Sequence, residues 1–257
     1  MNRRGVVGGG AAALLAAVLV TGCDGVGIDG GGGADGDGGP SRAAPAGAGT
    51  SPLANPRGTR PGLAALATEQ EKASARALIA KVATKGRGPK TGYDRDEYGY
   101  AWMDTADGVP LARNGCDTRN DLLARDGREP VYRPGSDCVV VETTIHDPYT
   151  GKTIEWRKRD AARVQIDHVV PLSYSWQMGA SRWDDAKRRQ LANDPLNLLP
   201  VEGRANSAKG DSGPASWLPP SKPIRCAYAV RFAQVAVKYE LPVTAADKRT
   251  MLTQCGG

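Results

Sequence analysis

Val164-Gln165-Ile166-Asp167-His168-Val169-Val170-Pro171 is the stretch from which the fold is read. Residues 162–170 (ARVQIDHVV) are predicted as a strand. In an extended chain, period two puts Val164, Ile166 and His168 on one face and Asp167 on the other. Downstream follows Asn193-Asp194-Pro195-Leu196-Asn197-Leu198-Leu199, and residues 196–201 (LNLLPV) predict a return strand interrupted late by Pro200. Residues 203–209 then predict a short helix that carries Asn206 and Lys209 three positions apart, on one face. A strand ending in Asp-His, a loop with an Asn, a return strand and a helix offering Asn and Lys define a small α+β unit.

Outward from that unit, residues 138–144 (CVVVETT) and 152–156 read as further strands, and residues 182–191 as a helix in an insertion. Residues 225–240 read as an amphipathic helix closed by Leu241-Pro242. Thr244 caps a last helix, with Asp247 at the capping-box position. Residues 91–257 are therefore expected to be the folded domain. Residues 63–82 have apolar positions at helical spacing and predict one or two helices; residues 85–90 are a basic connector. Residues 23–62, almost free of large apolar side chains, are expected to form a disordered tether.

The chain opens with a leader-like segment. Met1 to Arg4 is a positive n-region, and an apolar run follows, ending in Val20-Thr21-Gly22-Cys23. Small residues directly before a Cys resemble the bacterial lipoprotein signal, with 1–22 removed and Cys23 joined to diacylglycerol. Two acyl chains, at about 0.8 kcal/mol per buried CH₂, give stable anchoring where one does not. The expected location is extracytoplasmic and membrane-anchored, or secreted where Cys23 is not lipidated. Of five cysteines, Cys116, Cys138, Cys226 and Cys255 remain. An even set in an oxidising compartment, with no CxxC spacing, points to disulfides rather than zinc. Proximity favours Cys116–Cys138 and Cys226–Cys255, each closing a loop worth roughly 3 kcal/mol. The charge of +6, from 34 basic and 28 acidic residues, suits a polyanionic substrate without demanding one. With only His146 and His168 in the chain, a multi-histidine zinc enzyme is excluded.

At Asp167-His168, Asn197 and Asn206-Ser207-Ala208-Lys209 the sequence resembles the HNH nuclease superfamily. Cys116-Asp117-Thr118-Arg119-Asn120, Asp147-Pro148-Tyr149-Thr150-Gly151 and Trp217-Leu218-Pro219-Pro220 bring it nearest to proteins that share the C-terminal domain of GmrSD restriction endonucleases. The resemblance covers roughly residues 113–255. It implies a ββα-metal core with flanking helices, stapled by disulfides, that hydrolyses phosphodiester bonds in nucleic acid, DNA above all. It also implies a divalent cation, Mg²⁺ or Mn²⁺, on the hard oxygens of Asp167 and Asn206. In that scheme His168 is the general base and Asn197 stabilises the loop that holds it. Lys209 offers an ammonium to the pentacovalent phosphate.

Weaker candidates stand beside these. Arg119 either touches phosphate or pairs with Asp117 or Asp121. Lys187, Arg188 and Arg189 either track a phosphate backbone or form a solvated helix face. His146 reads as a turn or surface histidine, and Trp176, Trp183 and Trp217 as core residues more than base-stacking platforms. The rival to a nuclease is a non-catalytic envelope lipoprotein that binds a polyanion or a protein partner on the same scaffold. Cys23→Ala is expected to release the protein from membranes or stall its processing. Unchanged membrane fractionation with normal maturation would count against the anchor.

Overall fold

The computed structural model describes residues 49–257. The leader, Cys23 and the first part of the tether lie outside the described residues. Helix α1 (Glu69–Ala80) is followed by a long irregular segment and then α2 (Thr118–Asp126), which runs directly into β1 (Gly127–Tyr132). Next come β2 (Val140–His146), β3 (Thr153–Arg157), β4 (Val164–His168), α3 (Leu172–Met178), α4 (Asp185–Asn193), β5 (Leu198–Glu202) and α5 (Gly203–Lys209). Helices α6 (Arg225–Lys238) and α7 (Ala245–Gln254) end the chain. The fold is α+β. Strands β1–β2–β3 form an antiparallel sheet, β4 and β5 pair as a separate antiparallel hairpin, and α5 completes a ββα unit.

Local chemistry sets the boundaries. Thr68 and Glu71 form a reciprocal capping box that starts α1. The side chains of Asp117, Asp184, Glu202 and Thr244 accept backbone N–H groups at the starts of α2, α4, α5 and α7. Pro200 falls inside β5, opposite Ile166. A two-stranded hairpin tolerates it because one edge of the strand needs no donor. Two disulfides, Cys116–Cys138 and Cys226–Cys255, tie the start of α2 to that of β2 and α6 to the end of α7.

Two cores lie on either side of the hairpin. The smaller gathers Leu122, Leu123, Ile145, Ile154 and Trp156 against Val164, Ile166 and Leu198. The larger surrounds α6, where every residue from Cys226 to Ala236 is buried. The amphipathic reading of 225–240 is thus corrected: α6 is a central helix, packed by α1 and α7 and by the chain around Pro52. A helix apolar on all sides belongs in an interior. Helices α2 and α3 and strand β1 were not legible. Six of the seven residues of α3 are buried, so it shows no polar face, and β1 carries Pro130 and a bulge.

The disordered-tether expectation fails for residues 49–62. Thr50 N–H and Ala64 N–H close a backbone loop onto Pro61 and Thr50, and Gln234 donates to the Pro52 carbonyl at 2.7 Å. Buried Arg125 donates to the carbonyls of Gly58 (2.6 Å), Pro195 (2.9 Å) and Leu198 (2.9 Å). Backbone polarity, invisible to a count of apolar residues, orders this stretch. The segment 63–90, expected to be separate from the domain, likewise belongs to the same unit, with Ala75 and Ile79 in the main core. Gly58 sits at φ +69°, and a Cβ there would lie 2.4 Å from the Leu196 backbone. Gly58→Ala is therefore expected to cost more than about 1 kcal/mol, read by denaturant unfolding. A substitution that leaves stability unchanged would mean the segment is not docked.

Candidate functional site

The alternation of β4 sorts its residues to two sides. Val164 and Ile166 enter the smaller core, while Gln165 and Asp167 turn toward α5. There, Asn206 Nδ2 donates to Gln165 Oε1 at 2.8 Å, which leaves the Asn206 carboxamide oxygen unspent. Asp167, 4 % exposed, is gripped from both sides: Lys209 Nζ donates to Oδ1 at 2.9 Å and Tyr149 OH to Oδ2 at 2.5 Å. The same ammonium donates to the His168 carbonyl at 2.7 Å. Tyr149 is positioned by the turn that Asp147-Pro148-Tyr149-Thr150-Gly151 encodes. The buried Asp147 carboxylate takes the N–H groups of Tyr149 and Thr150 and the Thr150 hydroxyl, and Gly151 adopts φ +74°.

His168 ends β4 on the other side. Its Nε2 meets the Ala192 carbonyl at 2.9 Å, and its ring stacks on Trp102 with centroids 6.0 Å apart. A carbonyl only accepts, so the proton resides on Nε2 and Nδ1 keeps its lone pair. Burial, then Arg95 and Lys209, pull the imidazole down to about 3, so it is neutral across the physiological range. Burial raises the Asp167 carboxyl and lowers the Lys209 ammonium, and each partner's charge works against that shift. The loop behind His168 is stitched by Asn197, whose carboxamide accepts from Val170 N and donates to the carbonyls of Val170 and Leu191.

Asp167, His168 and Asn206 line one cleft of about 460 Å³, together with Lys90, Arg95 and Asp211. Each carboxylate oxygen can accept twice, so Asp167 keeps acceptor sites beyond those used by Lys209 and Tyr149. The donor set, one carboxylate and one amide oxygen, suits a hard divalent cation with most of its coordination supplied from elsewhere. Among the described residues, no cluster of three or more His, Cys, Asp or Glu could hold a metal by itself.

Several sequence candidates land elsewhere. Lys209 is 1 % exposed beneath Asp167, so the expected ammonium over the phosphate is corrected to a buried positioning cation. Arg119 neither faces the cleft nor pairs with an acid: its guanidinium lies 5.9 Å from the Trp156 ring and donates to Val164 O. The α4 cations do not line the cleft either. Arg188 is buried on Glu97 O, Trp183 O and the Asp185 carboxylate. Lys187 sits over Trp183, and Arg189 pairs with Asp185. Trp176 and Trp183 pack on Tyr93 and Tyr239, and Trp217 packs on Tyr149 and Tyr228. His146 is exposed at the end of β2.

Arg95, Gln165 and Trp102 escaped the sequence reading, and Tyr149 entered it only as part of a family motif, with no contact to Asp167 foreseen. Gln165 shares the Asp167 face by period two and was findable. Arg95 sits in an acidic run, Tyr93-Asp94-Arg95-Asp96-Glu97, with no spacing signal at all. Among the described residues it makes no ion pair or side-chain hydrogen bond, whereas Lys90 is tied to Asp211.

A hairpin ending in Asp-His, capped by a helix that carries Asn and Lys, defines an HNH-type domain of the nuclease class. A family model for the C-terminal domain of GmrSD restriction endonucleases matches residues 117–254, and the chain belongs to that family. HNH endonuclease domains generally use divalent metals. A protein of Arthroderma benhamiae described as an uncharacterized secreted protein is 38 % identical over 187 residues, covering 71 % of this chain and 85 % of that protein. No solved structure matches the chain.

Removing one partner of a buried ion pair leaves an uncompensated charge, at a cost of about 3–5 kcal/mol. Lys209→Met and Asp167→Asn are each expected to lower unfolding free energy on that scale, and the double variant by clearly less than their sum. Additive losses would show that the two groups do not interact.

Proposed function

We propose that the chain is a metal-dependent endonuclease that hydrolyses phosphodiester bonds in nucleic acid, most of all DNA, with low sequence specificity. The observation that carries this reading is the meeting of Asp167, His168 and Asn206 on one cleft, with the His168 proton fixed on Nε2. Nδ1 then takes the proton of an attacking water while the bond from phosphorus to the leaving sugar oxygen breaks. Asp167 and Asn206 would hold Mg²⁺ or Mn²⁺, which when bound supplies positive charge at the scissile phosphate.

Arg95 takes the role expected of Lys209. Its guanidinium lines the cleft with His168 and is free to meet the equatorial oxygens of the phosphorane. It also bears on the low basicity of His168, which burial sets first and the field of Arg95 second. A phosphate seated between them offsets the field of Arg95 and raises the imidazole toward a useful range. Asn197 and Lys209 act through position: one holds the loop after His168, the other holds Asp167 and the His168 carbonyl.

The reaction takes place outside the cytoplasm, on a protein anchored through Cys23. Two disulfides and a relative described as secreted support this location. The rival, a non-catalytic polyanion-binding scaffold, draws on one fact: both Asp167 oxygens already have donors.

Purified protein is expected to nick supercoiled plasmid only with a divalent cation, and chelation should abolish nicking. His168→Ala should lower the rate roughly 10²–10⁴-fold, while His146→Ala leaves it near normal. Arg95→Ala should lower turnover about 10²-fold or more without changing the metal concentration required. Equal, near-normal rates for the two histidine variants would defeat the assignment.

A further inference from the structure

A groove of about 910 Å³ lies beside α5, separate from the cleft lined by Asp167, His168 and Asn206. Three cations from three elements border it: Lys152 just before β3, Arg163 just before β4 and Arg204 in the first turn of α5. All three are exposed. Arg163 spends one N–H on the Glu155 carbonyl, and Arg204 makes no ion pair or side-chain hydrogen bond among the described residues. Lys152 makes a loose, solvent-exposed ion pair with Glu202 at 3.9 Å, of the kind that contributes little and that a phosphate can replace. Glu202, the groove's one acid, is itself occupied capping α5.

The groove and the cleft share a wall. Gln165 lines the groove and accepts from Asn206, which lines the cleft. Gly203 lets α5 lie directly on the chain before β4, since a Cβ there would stand 2.0 Å from Ala162 O. Arg163 and Arg204 are thereby brought to the same groove. By contrast, the α4 cations that the sequence singled out are neutralised or turned inward.

We propose that this groove binds the phosphate backbone of the nucleic acid on one side of the bond placed in the cleft, through Lys152, Arg163 and Arg204. The proposal rests on the nuclease reading for its ligand. Interactions of this kind act on the backbone and carry no base information, in keeping with low sequence specificity.

The test is equilibrium binding of the purified protein to fluorescein-labelled duplex DNA by anisotropy, with chelator present and across a salt series. For every phosphate that a variant no longer neutralises, the slope of log K against log salt becomes shallower by about 0.9. The triple variant Lys152→Gln/Arg163→Gln/Arg204→Gln is expected to flatten the slope by about 2–3 and to bind more weakly at every salt concentration. A charge-matched control, Arg182→Gln/Lys187→Gln/Arg189→Gln, should keep the wild-type slope. Equal slopes for wild type and the groove variant overturn the proposal, as does an equal flattening in the control. Because binding is read without cleavage, the two readings separate. A protein that fails to cut plasmid but shows the groove-dependent slope loses the nuclease assignment and keeps the groove. One that cuts but shows no slope change loses the groove alone.

Discussion

The Lys209 ammonium, enclosed between the Asp167 carboxylate and the His168 carbonyl, is the interaction on which the rest of the site depends. Burying a carboxylate and an ammonium costs several kcal/mol per ion, and mutual attraction repays this only when the remaining donors and acceptors are also satisfied. Here much of that is met: Asp167 has a second donor in Tyr149, and Lys209 a second acceptor in the backbone. Apolar residues of similar volume would be no worse for stability. What the pair secures is the position of the Asp167 carboxylate at the cleft, with the strand end beside it held to α5. Net charge at that point is near zero, so additional positive charge at Asp167 meets an attenuated field.

From this pair outward, a single hairpin serves two purposes because strand side chains alternate. One face of β4 fills the smaller core with Val164 and Ile166, and the other gives Gln165 and Asp167 to α5. His168, at the strand end, escapes the core and stacks on Trp102. Its partner strand β5 leads straight into α5, so Asn206 and Lys209 arrive beneath Asp167 with no loop to position them. A one-residue slip in the register that pairs Asp167 with Leu199 and His168 with Leu198 would exchange the two faces entirely.

Much of this was legible. The ββα order, the opposite facing of Asp167 and His168, the cap at Thr244 and the two cysteine pairings all follow from periodicity, capping chemistry and proximity. Lys209 shows where such reading stops. Spacing put it on the face of Asn206, but whether a lysine on that face reaches solvent or a buried acid depends on how closely the helix lies on the strand. The α4 cations failed for a similar reason: Lys187-Arg188-Arg189 reads as a basic run until the backbone of residues 95–99 and Trp183 close over Arg188. Residues 49–62 failed because their order comes from carbonyls received by Arg125 and Gln234, a contribution no hydropathy count contains.

Arg95 and Trp102 precede the segment that defines the family, residues 117–254, yet both meet His168. The match to the Arthroderma benhamiae protein is longer than that segment, so part of the upstream chain is shared as well. Trp102 holds a left-handed backbone, φ 60°, at a cost of about 1–3 kcal/mol for a residue of its size. Its indole lies nearly parallel to the imidazole. The strained position thus lies beside His168 and outside the family segment. The upstream segment sets Trp102 beside the ring and brings Arg95 to the cleft. The family segment holds Asp167, His168 and Asn206, the residues to which the proposed reaction gives the base and the hard oxygens. The segment before it adds Arg95, a cation that lines the same cleft.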